Sequence, residues 1–183
     1  MIAISTVYGA LVDPTGLDVG RLIELRATHG DRLVEHGPGP SRTREEIFEL
    51  SCDVIVPGAR PDSVTVELAE RADWAVVAPG ANVPYQAGSL GVLARRGIVA
   101  VPDFVSNSGG VHLYESLQPD DDAPAALARI ETIVAGMTVR VLEAARTGGI
   151  TPMAAALEDG RRWLLEAVPS GADLVEELFP AAQ

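Results

Sequence analysis

Three punctuated segments concentrate the residues of this chain that could hold a small polar ligand. They are Pro57-Gly58-Ala59, Pro79-Gly80-Ala81-Asn82-Val83-Pro84, and the stretch from Pro102 to Val111 that contains Asp103, Ser106, Asn107, Ser108, Gly109 and Gly110. Glycines and small residues let a planar ligand approach the backbone, and the amides of Asn82 and Asn107 offer a donor and an acceptor to a neutral polar group. The same residues serve as loop punctuation, and spacing alone leaves both readings open. Asp103 reads as an acid or base, or as a residue that fixes its loop. Ser106 and Ser108 have only His112 nearby in sequence, which is thin support for nucleophilic work. His29, His36 and His112 are scattered and no H-E-x-x-H or C-x-x-C occurs, so no metal site is expected. Asp120-Asp121-Asp122 reads as a solvated acidic turn ahead of a helix rather than a cation site.

Composition removes whole classes of chemistry. All 14 basic residues are arginine, so the chain has no lysine and cannot by itself supply a Schiff-base amine or a phosphate-gripping P-loop lysine. A net charge of −12 repels phosphate backbones and anionic headgroups, so neither nucleic acid nor membrane is an expected partner. One cysteine, Cys52, forbids an internal disulfide and reads as a core thiol. The amino terminus lacks a basic and apolar leader pattern, and no apolar run has the length of a membrane span. The expectation is a soluble, cytoplasmic chain of 183 residues, about one domain in size.

The elements that would position those segments are legible from apolar patterning. Ile2–Ser5, Asp53–Pro57, Trp74–Ala78 and Ile98–Val101 are short, β-branched-rich runs without polar alternation, the pattern of strands buried on both faces of a parallel sheet. Helical stretches fall between them: Leu17–His29 stopping at Gly30, a capping box at Thr43 and Glu46 opening a helix through Leu50, Val64–Arg71, and Gln86–Arg96 ending at Gly97. Beyond the last run, Pro124–Arg146 carries Leu127, Ile130, Val134, Met137, Val141 and Leu142 at steps of three and four, which predicts a core-facing helix stripe. Thr151-Pro152 predicts the start of another helix through about Ala167, followed by a short helix or ragged tail. Trp74 and Trp163 read as core or interface residues.

GANVP followed about twenty residues later by VPDFVSNSGGV resembles the carboxy-terminal domain of the glutamate/leucine/phenylalanine/valine dehydrogenases. AIS with YGALVDPTGLDV, and SCDVIVPGA, resemble further strands and turns of that family in the right order, and the likeness runs from Ile2 to Leu164. The resemblance implies an α/β fold: a Rossmann-like, mostly parallel sheet lacking its first strand, followed by long C-terminal helices. It implies one incomplete nucleotide-binding domain over residues 1–183, with an α/β part at 1–117, helices at 124–168 and a tail at 169–183. It implies NAD or NADP as cofactor and oxidative deamination of an amino acid to a 2-oxo acid as the reaction. By position, Gly58 and Ala59 would lie near the adenosine ribose, Asn82 would bond the nicotinamide ribose, and Asn107 would contact the carboxamide or the substrate. Gly109 and Gly110 would allow close approach, and Thr6 stands where the family carries its ribose-selecting residue.

Departures from the family pattern are specific. No G-x-G-x-x-G precedes Ile2, and His112-Leu113-Tyr114-Glu115 is bulkier than the usual run after GGV. In the family's strand order the absent first strand is central, so Ile2–Ser5 either pairs directly with Asp53–Pro57 or leaves two open edges. The family's catalytic lysine lies in its amino-terminal domain, in keeping with a chain that has none. The expectation is a dinucleotide-binding part inactive alone, needing a catalytic-domain chain or assembling as a homo-oligomer. The alternative is a noncatalytic module that binds a small ligand or docks onto a dehydrogenase.

Overall fold

A computed structural model describes residues 1–38, 42–116, 122–167 and 171–178. It divides into two compact units, one of residues 1–52 and 71–74, the other of residues 53–70 and 75–183.

The first unit opens with a hairpin of β1 (Ala3–Thr6) and β2 (Gly9–Val12), paired antiparallel with Thr6 opposite Gly9. The Thr6 hydroxyl accepts the Tyr8 N–H and closes the two-residue turn. This corrects the reading of Ile2–Ser5 as a strand of the parallel sheet: β1 bonds β2 in a two-stranded antiparallel sheet, so the alternative of direct pairing with the Asp53 run does not occur. Its residues are half-buried rather than covered on both faces. Helix α1 (Val19–His29) starts at Asp18, whose carboxylate accepts the Arg21 N–H, and stops at Gly30, where φ is 58°. Leu11, Leu17, Leu22, Leu25, Leu33 and Val34 form the core between hairpin and helix, with Ile4 packed against it. The Thr43–Glu46 capping box is present, but the turn it opens, Arg44–Glu49, is a 3-10 helix rather than an α-helix.

A parallel three-stranded sheet, in the second unit apart from its terminal residues Cys52 and Trp74, has the order β3 (Cys52–Ile55), β4 (Trp74–Val77) and β5 (Val99–Ala100). Strand β3 departs from the expected burial on both faces: it is an edge strand, and of its residues only Ile55 is buried. Helices α2 (Val66–Arg71) and α3 (Ser89–Arg95) follow β3 and β4. Past β5, where the sequence suggests loop, the chain forms α4 (Asp103–Ser106) and α5 (Gly109–Ser116). Both pack on α6 (Ala123–Gly148), which in turn packs against α7 (Pro152–Ala167), with α8 (Gly171–Leu178) beside α7. The core under these helices is Val105, Val141, Ala145, Ala155 and Ala156, with Met137 against it.

The α6 stripe is only partly as expected. Val141 is buried, Ile130, Val134, Met137 and Leu142 are half-buried, and Leu127 is 64% exposed, the closest seats going to Ala126 and Ala145. Small residues win there because two helices approaching over alanines leave no room for leucine. Asp122 caps α6 by accepting the Ala125 N–H at 2.8 Å, while Asp120 and Asp121 lie outside the described residues. Thr151 caps α7 by accepting the Ala154 N–H at 3.2 Å, with Pro152 as first helical residue. Trp74 is in the core and Trp163 is exposed. Among the described residues, no helix is long and apolar enough to cross a membrane.

Candidate functional site

In the second unit the loops after β3, β4 and β5 are tied to one another by a chain of short hydrogen bonds. The Ala78 N–H donates to the Ile55 carbonyl at 3.0 Å, and the Gly80 and Ala81 N–H groups both donate to the Pro57 carbonyl, at 2.9 and 3.0 Å. Gly80 lies against Gly58, so that a Cβ on Gly80 would stand 3.7 Å from the Gly58 Cα. Those contacts lay the β4 loop on the β3 loop.

Side chains from α4 and from Asn107, the residue that ends it, also hold the β4 loop. Ser106 Oγ donates to the Pro79 carbonyl at 2.6 Å, and Asn107 Nδ2 donates to the Ala81 carbonyl at 3.1 Å and to Asn82 Oδ1 at 2.6 Å. The Val83 N–H donates to Asp103 Oδ2 at 2.7 Å. Tyr85, two residues on, donates its hydroxyl to the Val101 carbonyl at 2.7 Å. Burial, with the Asp103 carboxylate nearby, pushes the Tyr85 phenol well above its ordinary range, so it stays a neutral donor. The far edge of the loop is held by the segment after β3: Asp62 N–H donates to the Val83 carbonyl and Val64 N–H to the Pro84 carbonyl, at 2.9 and 2.8 Å. Pro79, Pro84 and Pro102 are fully buried beneath.

The result is a pair of amides, exposed Asn82 and half-buried Asn107, fixed side by side at the carboxyl ends of adjacent strands. Among the described residues, nothing takes the Asn82 Nδ2 hydrogens or the Asn107 Oδ1, so the pair retains a donor and an acceptor for a neutral polar group. Ligands of open α/β sheets bind at such strand ends.

The other sequence candidates fall as follows. Gly58 and Ala59 are exposed beside Gly80 in the same cluster of loops. Gly109 and Gly110 open α5; a Cβ at Gly109 would meet Ile130 Cγ2 at 3.0 Å, so this glycine lets α5 sit close on α6, while Gly110 faces open space. Thr6 belongs to the first unit, where its hydroxyl donates to the Asp31 carbonyl at 2.7 Å. Ser106 and Ser108 both donate their hydroxyls to backbone carbonyls, which leaves neither poised as a nucleophile. His29 and His36, seven residues apart, stack with ring centroids 3.7 Å apart. Among the described residues no group of three His, Cys, Asp or Glu side chains converges on a common point. The sequence signalled the two asparagines through their Pro-Gly-Ala-Asn and Pro-Asp contexts, but nothing in it marked Tyr85.

The family model described as glutamate/leucine/phenylalanine/valine dehydrogenase matches residues 1–167. The chain belongs to that family. A glutamate dehydrogenase of Thermotoga maritima is 38% identical over 111 residues, 61% of this chain and 26% of that relative. An NAD-specific glutamate dehydrogenase of Staphylococcus aureus is 36% identical over 113 residues, again 61% of this chain and 26% of the relative. Among solved structures, the hetero-hexameric glutamate dehydrogenase of Thermus thermophilus in its Leu-bound form is similar, with a TM-score of 0.67 and 25% identity over 85% of this chain and 38% of that one. The chain thus aligns with about a quarter of the length of these curated dehydrogenases.

Proposed function

We propose that this chain is the nicotinamide-dinucleotide-binding part of an amino-acid dehydrogenase, taking NAD or NADP and serving oxidative deamination of an L-amino acid to a 2-oxo acid. The carrying observation is the Asn82–Asn107 pair, held between two strand-end loops with a donor and an acceptor uncommitted among the described residues. A neutral amide pair suits a ribose hydroxyl and a carboxamide better than it suits a charged phosphate, so the donor set fits the nicotinamide riboside half of the cofactor.

In this reading Asn82 holds the nicotinamide ribose and Asn107 the carboxamide or the neighbouring substrate. Gly58 and Ala59 line the path toward the adenosine ribose, and Gly110, open on its outer side, admits the ring. Bound there, the dinucleotide supplies the hydride acceptor, which is chemistry no side chain of this protein provides. The chain's own residues orient it: Ser106 and Asn107 restrain the β4 loop, so that little ordering is left to be done on binding. Thr6 has its hydroxyl committed to the Asp31 carbonyl and the Tyr8 N–H, so it gives no ground for choosing between NAD and NADP.

With no lysine of its own, the chain is inactive alone and works with a lysine-bearing catalytic chain or within a larger assembly, in the cytoplasm. Isothermal titration of the purified chain with NAD and NADP tests this, beside an assay for dinucleotide reduction with a panel of amino acids. The expected result is a Kd tighter than about 1 mM, roughly −4 kcal/mol, and no turnover. Turnover by the lone chain would overturn its inactivity. A cooperatively folded chain that binds neither dinucleotide would replace this reading with that of a noncatalytic module, to which the 90%-exposed Tyr114 on α5 would then be the first guide.

A further inference from the structure

Val83 is held in a backbone conformation that its own chemistry opposes three times over. Its φ is +50°, in the left-handed region where a β-branched residue is an outlier, and it immediately precedes Pro84, which disfavours helical conformations of either hand. Packing does not explain it, because the side chain is 63% exposed. Hydrogen bonds do: the Val83 N–H donates to Asp103 Oδ2 at 2.7 Å, and its carbonyl accepts the N–H of Asp62, itself at φ +49°, at 2.9 Å. Strain of this kind persists only where the surroundings over-determine it. Of the two bonds, the one from Asp103 is the side-chain contribution, and it reaches the peptide that joins Val83 to Asn82.

We propose that Asp103 is a positioning residue whose carboxylate locks Val83 left-handed and thereby fixes the direction in which Asn82, paired with Asn107, presents its amide. The benefit to ligand binding rests on the dinucleotide reading above; the lock itself does not. If Val83 relaxed to extended backbone, the peptide before it would turn, and the bonds from Asn107 to the Ala81 carbonyl and to Asn82 Oδ1 would lose their geometry.

The test uses the full chain with D103A, D103N, and D103A combined with V83G. It reads hydrogen exchange of the Val83 amide and the Asn82 side-chain amide resonances without ligand, then NAD affinity by titration. D103A is expected to lower Val83 protection at least tenfold, shift the Asn82 resonances and weaken NAD binding about tenfold. D103N, which keeps an acceptor oxygen, is expected to stay within about threefold of the wild type in protection and affinity. Glycine adopts positive φ freely, so V83G is expected to recover at least threefold of the affinity lost in D103A. Unchanged Val83 protection in D103A overturns the lock, and lost protection with unchanged affinity overturns the positioning role. If D103A does not fold, the double variant decides, since relief of the strain predicts that it folds; its failure would overturn the proposal. Should the wild type bind no dinucleotide, the dehydrogenase reading fails, and the exchange and resonance measurements still decide the lock.

Discussion

Asn107 spends both of its amide hydrogens on the neighbouring loop, and that expenditure makes the loop a fixed surface. Glu46 in the first unit shows the same economy in charged form. Its carboxylate accepts the Thr43 N–H and hydroxyl at 3.0 and 2.9 Å with Arg42 at 3.5 Å, and these partners hold its pKa below the ordinary value of 4.5. Because the folded value is depressed, the contribution to stability is full above 4.5 and is lost as pH falls through the folded value. E46A is therefore expected to be less stable than the wild type near neutrality, with the gap closing below pH 4.5; thermal melts from pH 7 to about pH 3 check this, and parallel profiles would refute it. The Thr43–Glu46 bond was legible in sequence because its partners are three residues apart. The Asp103–Val83 and Asn107–Ala81 bonds were not, because each joins residues 20 or more apart whose meeting depends on the fold. Their loop motifs named Asn82 and Asn107 as candidates, but only geometry showed that the two side chains bond each other.

At the scale of elements, local chemistry set the boundaries that could be read. Gly30 ends α1, Gly149 in left-handed conformation ends α6, and Thr151-Pro152 starts α7, each through a capping bond or a φ decided within a few residues. Elements decided by distant partners escaped. The family resemblance places YGALVDPTGLDV in the turn after the first strand, yet GALV forms β2 because β1 offers a complementary edge. The Pro102–Val111 segment reads as loop punctuation from its glycines, serines and asparagine, yet α4 forms within it and α5 begins in it, with Val105 buried in the α6–α7 core. A cap that was missed as such also yields a prediction. Asp122 caps the α6 N-terminus through a 2.8 Å bond to the Ala125 N–H. D122A is expected to cost about 1 kcal/mol and lower Tm by roughly 2–4 °C for a chain of this size. D122N, an equally good cap, is expected to retain most of that. Equal melting of all three proteins would mean that α6 is held by its packing alone.

The whole molecule carries a net charge of −12, its 14 arginines included, and the cofactor it is proposed to bind is itself an anion. The Asn82–Asn107 pair is neutral, so the pair itself does not compensate for the field of the whole chain. At ionic strengths near 0.01 M that field extends about 30 Å into solution, whereas near 0.15 M it is confined to about 8 Å. A dinucleotide approaching at low salt therefore meets net repulsion, which screening removes. Association is expected to quicken several-fold as salt rises between those limits. NADP should gain more than NAD, because its additional phosphate adds nearly two further negative charges. Stopped-flow measurements with both dinucleotides at matched pH check this. An association rate that falls with salt would show instead that arginines gather at the site and steer the anion inward. The neutral amides would then be the end of a cationic path, and the arginine-only composition would become part of how the protein finds its cofactor.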